Sequence, residues 1–574
     1  MKKTIILNLI LCCLISLTAC NGANTQITES SVADNIVSKA DTTGMDFTFD
    51  DKDTTPPLDT DSVTDISNDD NDSYNITTGG VYTFTGEQTD TMLLIDADNA
   101  DVNIILNNVK INNSEGPAIY VRAADKVTIS LAEGTVNTLS DGSSYSITDS
   151  DSTLDGAIFS KADLVINGSG TLNVNGNYKH GIVSKDDLII SSCTVNVTAQ
   201  NVALSGKDCV KINDGNITLS AGSDGIRSDN DEDSAKGYIY LCGGKFDITA
   251  ANDGIQAQTV LNIENANIKI TAGGGSDTSL SSSDESYKGL KASSDIYIIG
   301  GNFQIESKDD CIHSNNTITI LGGTYTISSG DDGVHADADL QISGDDTTIT
   351  VNKSYEGIEA TNIIISGGNI SVVAADDGLN AAGGNNTQSQ DYYGRPGKNN
   401  FSGSTGSISI TGGNISIKMS GDGIDSNGTL NVTGGNIIVT GANRGDTAIL
   451  DFDTTGTISN GTFVGTGASG MAQNFSTTST QGVIFVTCTS QSAGTQITLL
   501  DDGGNTVMTH TAENDFSCII LSHSSIVSGK TYTLKVGTAT ATITMNSTVY
   551  GTGSGMGGGP VGPGGHMGGP GRPR

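Results

Sequence analysis

Residues 309–334 read DDCIHSNNTITILGGTYTISSGDDGV and contain the pattern that recurs through most of the chain. Cys311 and Gly333 each follow a pair of aspartates, and Gly322 lies midway, 11 residues from each. Between these turn signals apolar and polar side chains alternate, as in residues 317–320, which is typical of short strands with one buried face. The stretch therefore predicts a coil of about 22 residues built from strands and tight turns.

The same phrase returns on both sides of this stretch. It is centred on Gly225, Gly254, Gly289, Gly357, Gly378 and Gly423. Short strands at a constant step are typical of a parallel β-helix, whose coils stack about 4.8 Å apart. We therefore predict an all-β protein, with a right-handed parallel β-helix over residues 46–475 and a small β domain over residues 480–549.

Both ends of the chain differ from the repeat. Lys2 and Lys3 precede an apolar segment that ends in Leu17-Thr18-Ala19-Cys20, which resembles the signal of a bacterial lipoprotein. We predict a signal peptide over residues 1–20 with lipid attached at Cys20; an ordinary secretory signal is the alternative. Polar residues 21–45 predict a flexible tether, and the Gly/Pro-rich residues 551–574 predict a disordered tail. The expected location is the cell surface, on the extracellular face of a bacterial membrane.

Charge excludes some partners. The chain has 574 residues, 28 basic and 65 acidic, which gives a net charge of −37. Nucleic acids and anionic lipid surfaces attract basic proteins, so neither is an expected partner, and contact with a membrane is expected through the lipid anchor alone.

The repeat stacks acidic side chains in columns. One column holds the residue before each glycine, and a second holds the residue after each buried aliphatic side chain. Carboxylates about 4.8 Å apart repel each other by roughly 3–4 kcal/mol, and Ca²⁺ is an oxygen-seeking cation that relieves such repulsion. We predict Ca²⁺ ligands among Asp309, Asp310, Asp331, Asp332, Glu356, Glu359, Asp376 and Asp377. The alternative is that Asp-Gly is present because it suits a turn.

Four further side chains are candidates for ligand binding. His313 and His335 are one coil apart, so they are candidates for holding a transition metal or orienting a ligand, although a stacked pair without a role is the alternative. Tyr392 and Tyr393 lie in an insertion and are the best aromatic candidates for stacking on a sugar, because the chain has no Trp.

The ordered set of phrases resembles the bacterial family of carbohydrate-binding domain-containing proteins. The phrases are those at residues 163–172, 288–292, 331–337, 354–360 and 376–382. The resemblance implies an exported β-helix related in shape to pectate lyases. It also implies non-catalytic binding of plant-wall polysaccharide, including acidic sugars, with bound calcium.

Three classes of function fit these observations. The first is a lipid-anchored, non-catalytic module that binds an extracellular, plant-type polysaccharide with calcium. The second is a calcium-dependent, pectate-type polysaccharide lyase, which needs a basic residue as its catalytic base. The candidate bases are Lys288, Lys291, Lys308 and Lys353. For Lys288 and Lys291 the alternative is a basic coil that relieves the acidic repulsion. The third is a structural or adhesive surface protein.

Overall fold

Strands make up nearly all the regular structure in the residues that the computed structural model describes. These are residues 42–56, 63–66, 73–150, 153–279, 286–382, 406–442 and 444–553, and all of them belong to one compact unit, Lys39–Arg574. Within this described part, the α-helical structure is a single turn, Asp51–Thr54. No helix there is long and apolar enough to span a membrane.

Through the repeat, strands pair in parallel with the strand one coil later. Leu290 is opposite Ile312, Ile312 is opposite Val334, and Val334 is opposite Ile358. These partners are 22 to 24 residues apart along the chain. The described strands include 43 that join into one sheet through such pairings. The pairing fits the predicted parallel β-helix.

Three columns of strands run along the molecule, and each regular coil contributes one strand to each column. The first column contains Ser73–Ile76, Met92–Asp96, Ile119–Ala123, Gly156–Ser160, His180–Ser184, Leu204–Gly206, Ile226–Ser228, Ile255–Ala257, Leu290–Ala292, Ile312–Ser314, Leu379–Ala381, Ile424–Ser426 and Leu450–Phe452. The second contains Thr64–Asp65, Lys126–Leu131, Asp163–Gly168, Tyr238–Leu241, Leu261–Ile263, Ile296–Ile298, Thr317–Ile320, Ser407–Ile410, Thr429–Val432 and Thr455–Ile458.

The third column completes the coil. It contains Val136–Ser140, Thr171–Gly176, Lys245–Ala250, Ala266–Ala272, Gly301–Ser307, Thr324–Ser329, Thr348–Lys353, Asn369–Ala374, Asn414–Met419, Asn436–Thr440 and Thr462–Gly467. Six longer strands continue from one column into the next. They are Gly80–Thr89, Val102–Asn112, Asp187–Ala199, Cys209–Ala221, Val334–Ile342 and Ile358–Ile365.

A ladder of aliphatic side chains forms the inner face of the first column. Leu290, Ile312, Val334, Ile358 and Leu379 follow one another in successive coils, and each is 0% exposed. Full burial of such a side chain contributes about 1.5–3 kcal/mol relative to exposure. The ladder therefore holds the coils in register and fixes the direction of the side chains beside it.

The C-terminal strands change to antiparallel pairing. Phe516–Ser522 pairs antiparallel with both Thr462–Gly467 and Val483–Gln491, whereas Val549–Tyr550 pairs in parallel with Val483–Gln491. A second, four-stranded antiparallel sheet contains Gln496–Leu500, Thr506–Thr511, Thr531–Val536 and Ala539–Thr544. The predicted domain boundaries stay a prediction.

Candidate functional site

An acid ladder runs beside the buried aliphatic ladder. It consists of the acidic residues that precede the glycine of the repeated phrase, or Cys311 in its place, whereas Lys288 holds this position before Gly289. The acids are Asp224, Asp253, Asp310, Asp332, Glu356, Asp377 and Asp422. In most of these residues one carboxylate oxygen is used by the backbone of the next coil. The N–H of Asp332 donates to Oδ1 of Asp310 over 3.0 Å, and the N–H of Glu356 donates to Oδ1 of Asp332 over 3.3 Å. These aspartates therefore complete the hydrogen bonding of the corner.

The other oxygen often faces a basic side chain. Oδ2 of Asp310 is 2.8 Å from Nδ1 of His313, and Oδ2 of Asp332 is 2.9 Å from Nδ1 of His335. Lys291 reaches back to Asp253, with its Nζ 3.2 Å from Oδ2. In these coils the chain supplies its own partners for the acid ladder.

Lys288 neutralises the first of the predicted calcium ligands. Its Nζ lies 2.9 Å from Oδ2 of Asp309 and 2.7 Å from Oδ2 of Asp310. Burial alone would lower the pKa of Lys288, but the charges of Asp310 and Asp309 outweigh it and raise this pKa. Burial likewise favours the neutral form of Asp310, yet Lys288 and His313 hold the pKa of that carboxyl well below its ordinary value. Asp309, Asp310 and Asp331 present oxygens within 4.8 Å of one another, and an ammonium group already serves two of the three.

Asp331 is a carboxyl with a strongly raised pKa. Burial, and then the charges of Asp332 and Asp310, raise the pKa of Asp331 to about 8. This carboxyl therefore holds a proton near neutral pH when no other cation is present.

His335 is enclosed by carboxylates. Besides the contact with Asp332, its Nδ1 is 3.4 Å from Oε2 of Glu359 and its Nε2 is 3.3 Å from Oδ1 of Asp337. Burial would lower the pKa of His335, but the hydrogen bonds to Asp332 and Asp337 raise it to about 12. His335 is therefore an imidazolium that balances the surrounding acids.

Glu356 and Glu359 are neighbouring carboxyls of like charge. Burial is the main cause that raises both pKa values well above the ordinary value, and the charge of Glu359 adds to the effect on Glu356. The side-chain amide of Asn380 donates to Glu356.

The following coils contain carboxyls that touch no basic side chain among the described residues. We call Asp377, Asp422, Asp425 and Asp451 the uncompensated carboxyls. Burial, followed by neighbouring carboxyls, raises the pKa of Asp377 to about 7, of Asp422 to about 6 and of Asp425 to about 8. The pKa of Asp451 is also raised, by burial and by Asp453.

The structure brings most of the predicted ligands onto one face but distributes them among three environments. Asp309 and Asp310 contact Lys288, whereas Asp332 and Glu359 contact His335. Asp377 is one of the uncompensated carboxyls. Asp376 neighbours Asp377 and accepts a hydrogen bond from Tyr355, which raises the pKa of that tyrosine. The predicted residues Tyr392, Tyr393 and Cys20 lie outside the described residues.

Sequence reasoning left Asp422, Asp425 and Asp451 out of the ligand set. Asp422 and Asp425 carry the same signal as the predicted residues, because Gly421-Asp422-Gly423-Ile424-Asp425 repeats the phrase. An insertion separates them from the preceding coil, so the N–H of Asp422 meets Oδ1 of Asp377 from 45 residues away. Asp451 follows a coil corner that has no glycine, so the repeated phrase does not mark it in the sequence. Its place in the site is seen only from the strand register, which puts it opposite Asp425.

The fold and the acidic face together define a class, that of repeat-built β proteins with a stacked column of carboxylates. The sequence model of the family named "Carbohydrate-binding domain-containing protein" matches residues 70–333 and 318–395. A protein of that name from Acetivibrio thermocellus is 34% identical over 201 residues, which are 35% of this chain and 70% of the relative. The chain belongs to this family of carbohydrate-binding domain-containing proteins.

One solved structure is also similar. It is described as the polysaccharide lyase-like protein from C. thermocellum, in a gadolinium derivative. It is 32% identical, covers 42% of this chain and 95% of its own, and superposes with a TM-score of 0.36.

Proposed function

We propose that this protein is a non-catalytic, lipid-anchored protein of the cell surface that binds an acidic plant-type polysaccharide with the help of Ca²⁺. The observation that carries the proposal is the run of uncompensated carboxyls in a member of a carbohydrate-binding family. The four form two pairs in successive coils, since Asp425 lies opposite Asp451 and the N–H of Asp422 donates to Oδ1 of Asp377. The scaffold is a right-handed parallel β-helix, the hand found in nearly all parallel strand crossovers.

These carboxyls are suited to act as Ca²⁺ ligands. Ca²⁺ takes six to eight oxygen ligands and accepts carboxylates readily. Carboxyls whose pKa values are raised by burial and mutual repulsion gain most from a divalent cation, because the ion replaces their protons and cancels the repulsion. An ion with open positions on this face bridges the protein to the carboxylates of uronic acids, whereas the net charge of −37 otherwise repels them.

The contacts of the four candidate lysines favour binding over catalysis. A lyase base must be able to accept a proton, but Lys288 is held protonated by Asp309 and Asp310. Lys291 pairs with Asp253, and Lys353 contacts Asp277 and the carbonyl of Ser276. The Nζ of Lys308 lies 3.8 Å from the ring centroid of Tyr287. Each lysine thus has a structural role.

The test measures binding and cleavage in one assay. The purified chain is incubated with polygalacturonate or cellulose, with Ca²⁺ or with a chelator, and both retention on the polymer and ultraviolet absorbance of unsaturated products are followed. We expect Ca²⁺-dependent retention on polygalacturonate without new absorbance. Rising absorbance would establish a lyase, and absence of retention on either polymer would favour the adhesive function.

A pair of substitutions locates the ion. Asp377→Asn combined with Asp425→Asn should abolish the Ca²⁺ dependence of retention. Asp247→Asn is the matched control, because Asp247 is an exposed carboxyl on the third column that pairs with Lys269. Retention that stays Ca²⁺-dependent in the double variant would place the ion elsewhere.

A further inference from the structure

A second group of cation ligands differs chemically from the uncompensated carboxyls. We define the histidine cluster as Asp310, His313, Asp332, His335 and Glu359. Asp310, His313 and His335 present one ligand atom each within 4.8 Å of one another, and so do Asp332, His335 and Glu359. The two groups share His335, so one imidazole ring connects them.

Register in the first column creates the cluster. His313 lies directly opposite His335, which lies opposite Glu359. The two imidazole rings are 5.0 Å apart between centroids. Because the flanking residues Ile312, Val334 and Ile358 are fully buried, the backbone that carries these side chains is held firmly by the core.

The cluster is partly shielded from water. The histidine side chains are 12% and 18% exposed, and the side chains of Asp310 and Asp332 are 3% and 8% exposed. A site that is largely desolvated but open at one edge favours a bound ion, since it strengthens the charge interaction and still leaves an entry path.

The donor set selects the kind of ion. Ca²⁺ and Mg²⁺ prefer all-oxygen ligands, whereas imidazole nitrogen suits Zn²⁺, Co²⁺, Ni²⁺ and Cu²⁺. Zn²⁺ is bound in proteins by mixtures of histidine nitrogen and carboxylate oxygen, commonly with four ligands. Carboxylates that hydrogen-bond to ligating histidines orient the rings, and Asp310 and Asp332 are placed to act as ligands or in this orienting role.

We propose that the histidine cluster binds a single divalent transition-metal ion, with Zn²⁺ as the best fit. The site uses His313 and His335 with carboxylate oxygen from Asp310, Asp332 or Glu359, and the ion replaces the proton that His335 holds in the metal-free protein. It does not depend on polysaccharide binding, and it is distinct from the calcium proposed at the uncompensated carboxyls. The molecule then carries two kinds of cation on one face, a nitrogen-bound ion in the central coils and an oxygen-bound ion in later coils.

The experiment uses the full chain after treatment with a chelator. Zn²⁺ and Co²⁺ are titrated by calorimetry in the presence of excess Ca²⁺, and the Co²⁺ complex is followed by its visible absorbance, which is strong for a four-coordinate site with nitrogen and oxygen ligands. We expect one equivalent of tight binding that Ca²⁺ does not displace. His313→Asn or His335→Asn should weaken Zn²⁺ binding by more than about tenfold.

A histidine outside the cluster provides the control. His523→Asn changes a half-buried histidine of the C-terminal region, whose Nδ1 accepts from the N–H of Ser525, and should leave the titration unchanged. If the cluster variants fail to fold, acylation of the histidines in the unaltered chain replaces them, and Zn²⁺ should protect His313. The proposal is overturned if Zn²⁺ does not protect His313, or if folded His313→Asn and His335→Asn bind Zn²⁺ as tightly as the unaltered chain.

Discussion

At the scale of single residues, Lys288 acts as a built-in cation. Its ammonium group lies within 3 Å of carboxylate oxygens of both Asp309 and Asp310, and its side chain is only 13% exposed. Removing one partner of such a buried pair leaves uncompensated charge and costs about 3–5 kcal/mol. We therefore expect Lys288→Met to lower the unfolding free energy by this amount in chelator, as measured by urea denaturation.

Calcium provides the second half of that test. Without Lys288, the oxygens of Asp309, Asp310 and Asp331 form an open acidic site, so added Ca²⁺ should restore part of the lost stability. Lys269→Met is the control, because Lys269 and Asp247 form an exposed pair, and such pairs contribute about 0–1 kcal/mol. Equal losses in the two variants would contradict the proposed role of Lys288.

The uncompensated carboxyls predict an unusual pH dependence. The pKa of Asp425 rises from an ordinary 3.8 to about 8, so between these values the folded chain binds a proton that the unfolded chain has released. By linkage, the unfolding free energy falls as pH rises through this window. We expect the chain in chelator to be less stable at pH 8 than at pH 5, and Ca²⁺ to reduce the difference.

Substitution separates Asp425 from other titrating groups. His335, with a raised pKa of about 12, also makes stability fall as pH rises above about 6.5. Asp425→Asn removes only the contribution of Asp425, so the slope between pH 5 and 8 should become shallower while the contribution of His335 remains. An unchanged slope in urea denaturation at several pH values would show that Asp425 titrates normally.

The residues of the site were only partly predictable from the sequence. The repeat predicted which acids share a face, because a constant step places equivalent residues in one column. It did not predict that one carboxylate oxygen of Asp310, and one of Asp332, accepts a hydrogen bond from a backbone N–H of the next coil. The sequence indicated that Lys288 could relieve acidic repulsion, but not that it contacts both Asp309 and Asp310, because side-chain direction depends on packing between coils rather than on spacing.

At the scale of elements, the alternating pattern and the glycine step correctly predicted stacked parallel strands. The number of strands in a coil was harder to foresee. Two corners carry glycine, at Gly322 and Gly333, but the third corner, near Asn315 and Asn316, has none. Asn favours turns, but the equivalent corner one coil earlier carries Ser293 and Ser294 instead. The third corner therefore has no constant residue, and the repeat showed two turn signals rather than three.

The N-terminal strap, residues 45–54, is an element that the repeat did not predict. It runs across the outer side of the second column, where Phe49 stacks on Tyr240 at 5.7 Å and Phe47 meets Tyr238 edge-on at 5.3 Å. The hydroxyl of Tyr238 donates to the carbonyl of Asp46, and Nζ of Lys211 donates to the carbonyl of Thr48. The strap thus covers aromatic side chains that otherwise face water.

Removing the strap's aromatic contacts should weaken the fold. Full burial makes Phe→Ala cost about 3–5 kcal/mol, and both rings are only half-buried, so we expect about 1–3 kcal/mol for Phe47→Ala together with Phe49→Ala. Thermal denaturation followed by circular dichroism measures the loss. Thr48→Ala is the control, because it keeps the carbonyl that binds Lys211. A double variant as stable as Thr48→Ala would mean that the strap adds no stability.

At the scale of the whole molecule, stability is divided among neighbouring coils. In a repeat protein each unit contacts only the units on either side, so total stability is close to a sum of coil and interface contributions. The regular register supports this division, since Ile255, Leu290 and Ile312 lie opposite one another in three successive coils. A whole coil is therefore a removable unit.

Deletion of residues 290–311 removes one complete coil and joins Gly289 to Ile312. All three columns then pair again, because Ile255–Ala257 meets Ile312–Ser314, Leu261–Ile263 meets Thr317–Ile320 and Ala266–Ala272 meets Thr324–Ser329. We expect a folded protein with an unchanged strand signal in circular dichroism and a modestly lower melting temperature. Deletion of residues 290–300 removes half as much chain, yet it places Gly301–Ser307 of the third column directly after a first-column corner. The coils after the junction are then out of register with the coils before it, so the shorter deletion should lower stability more than the longer one. The opposite order of stabilities would contradict a fold built from 22-residue coils.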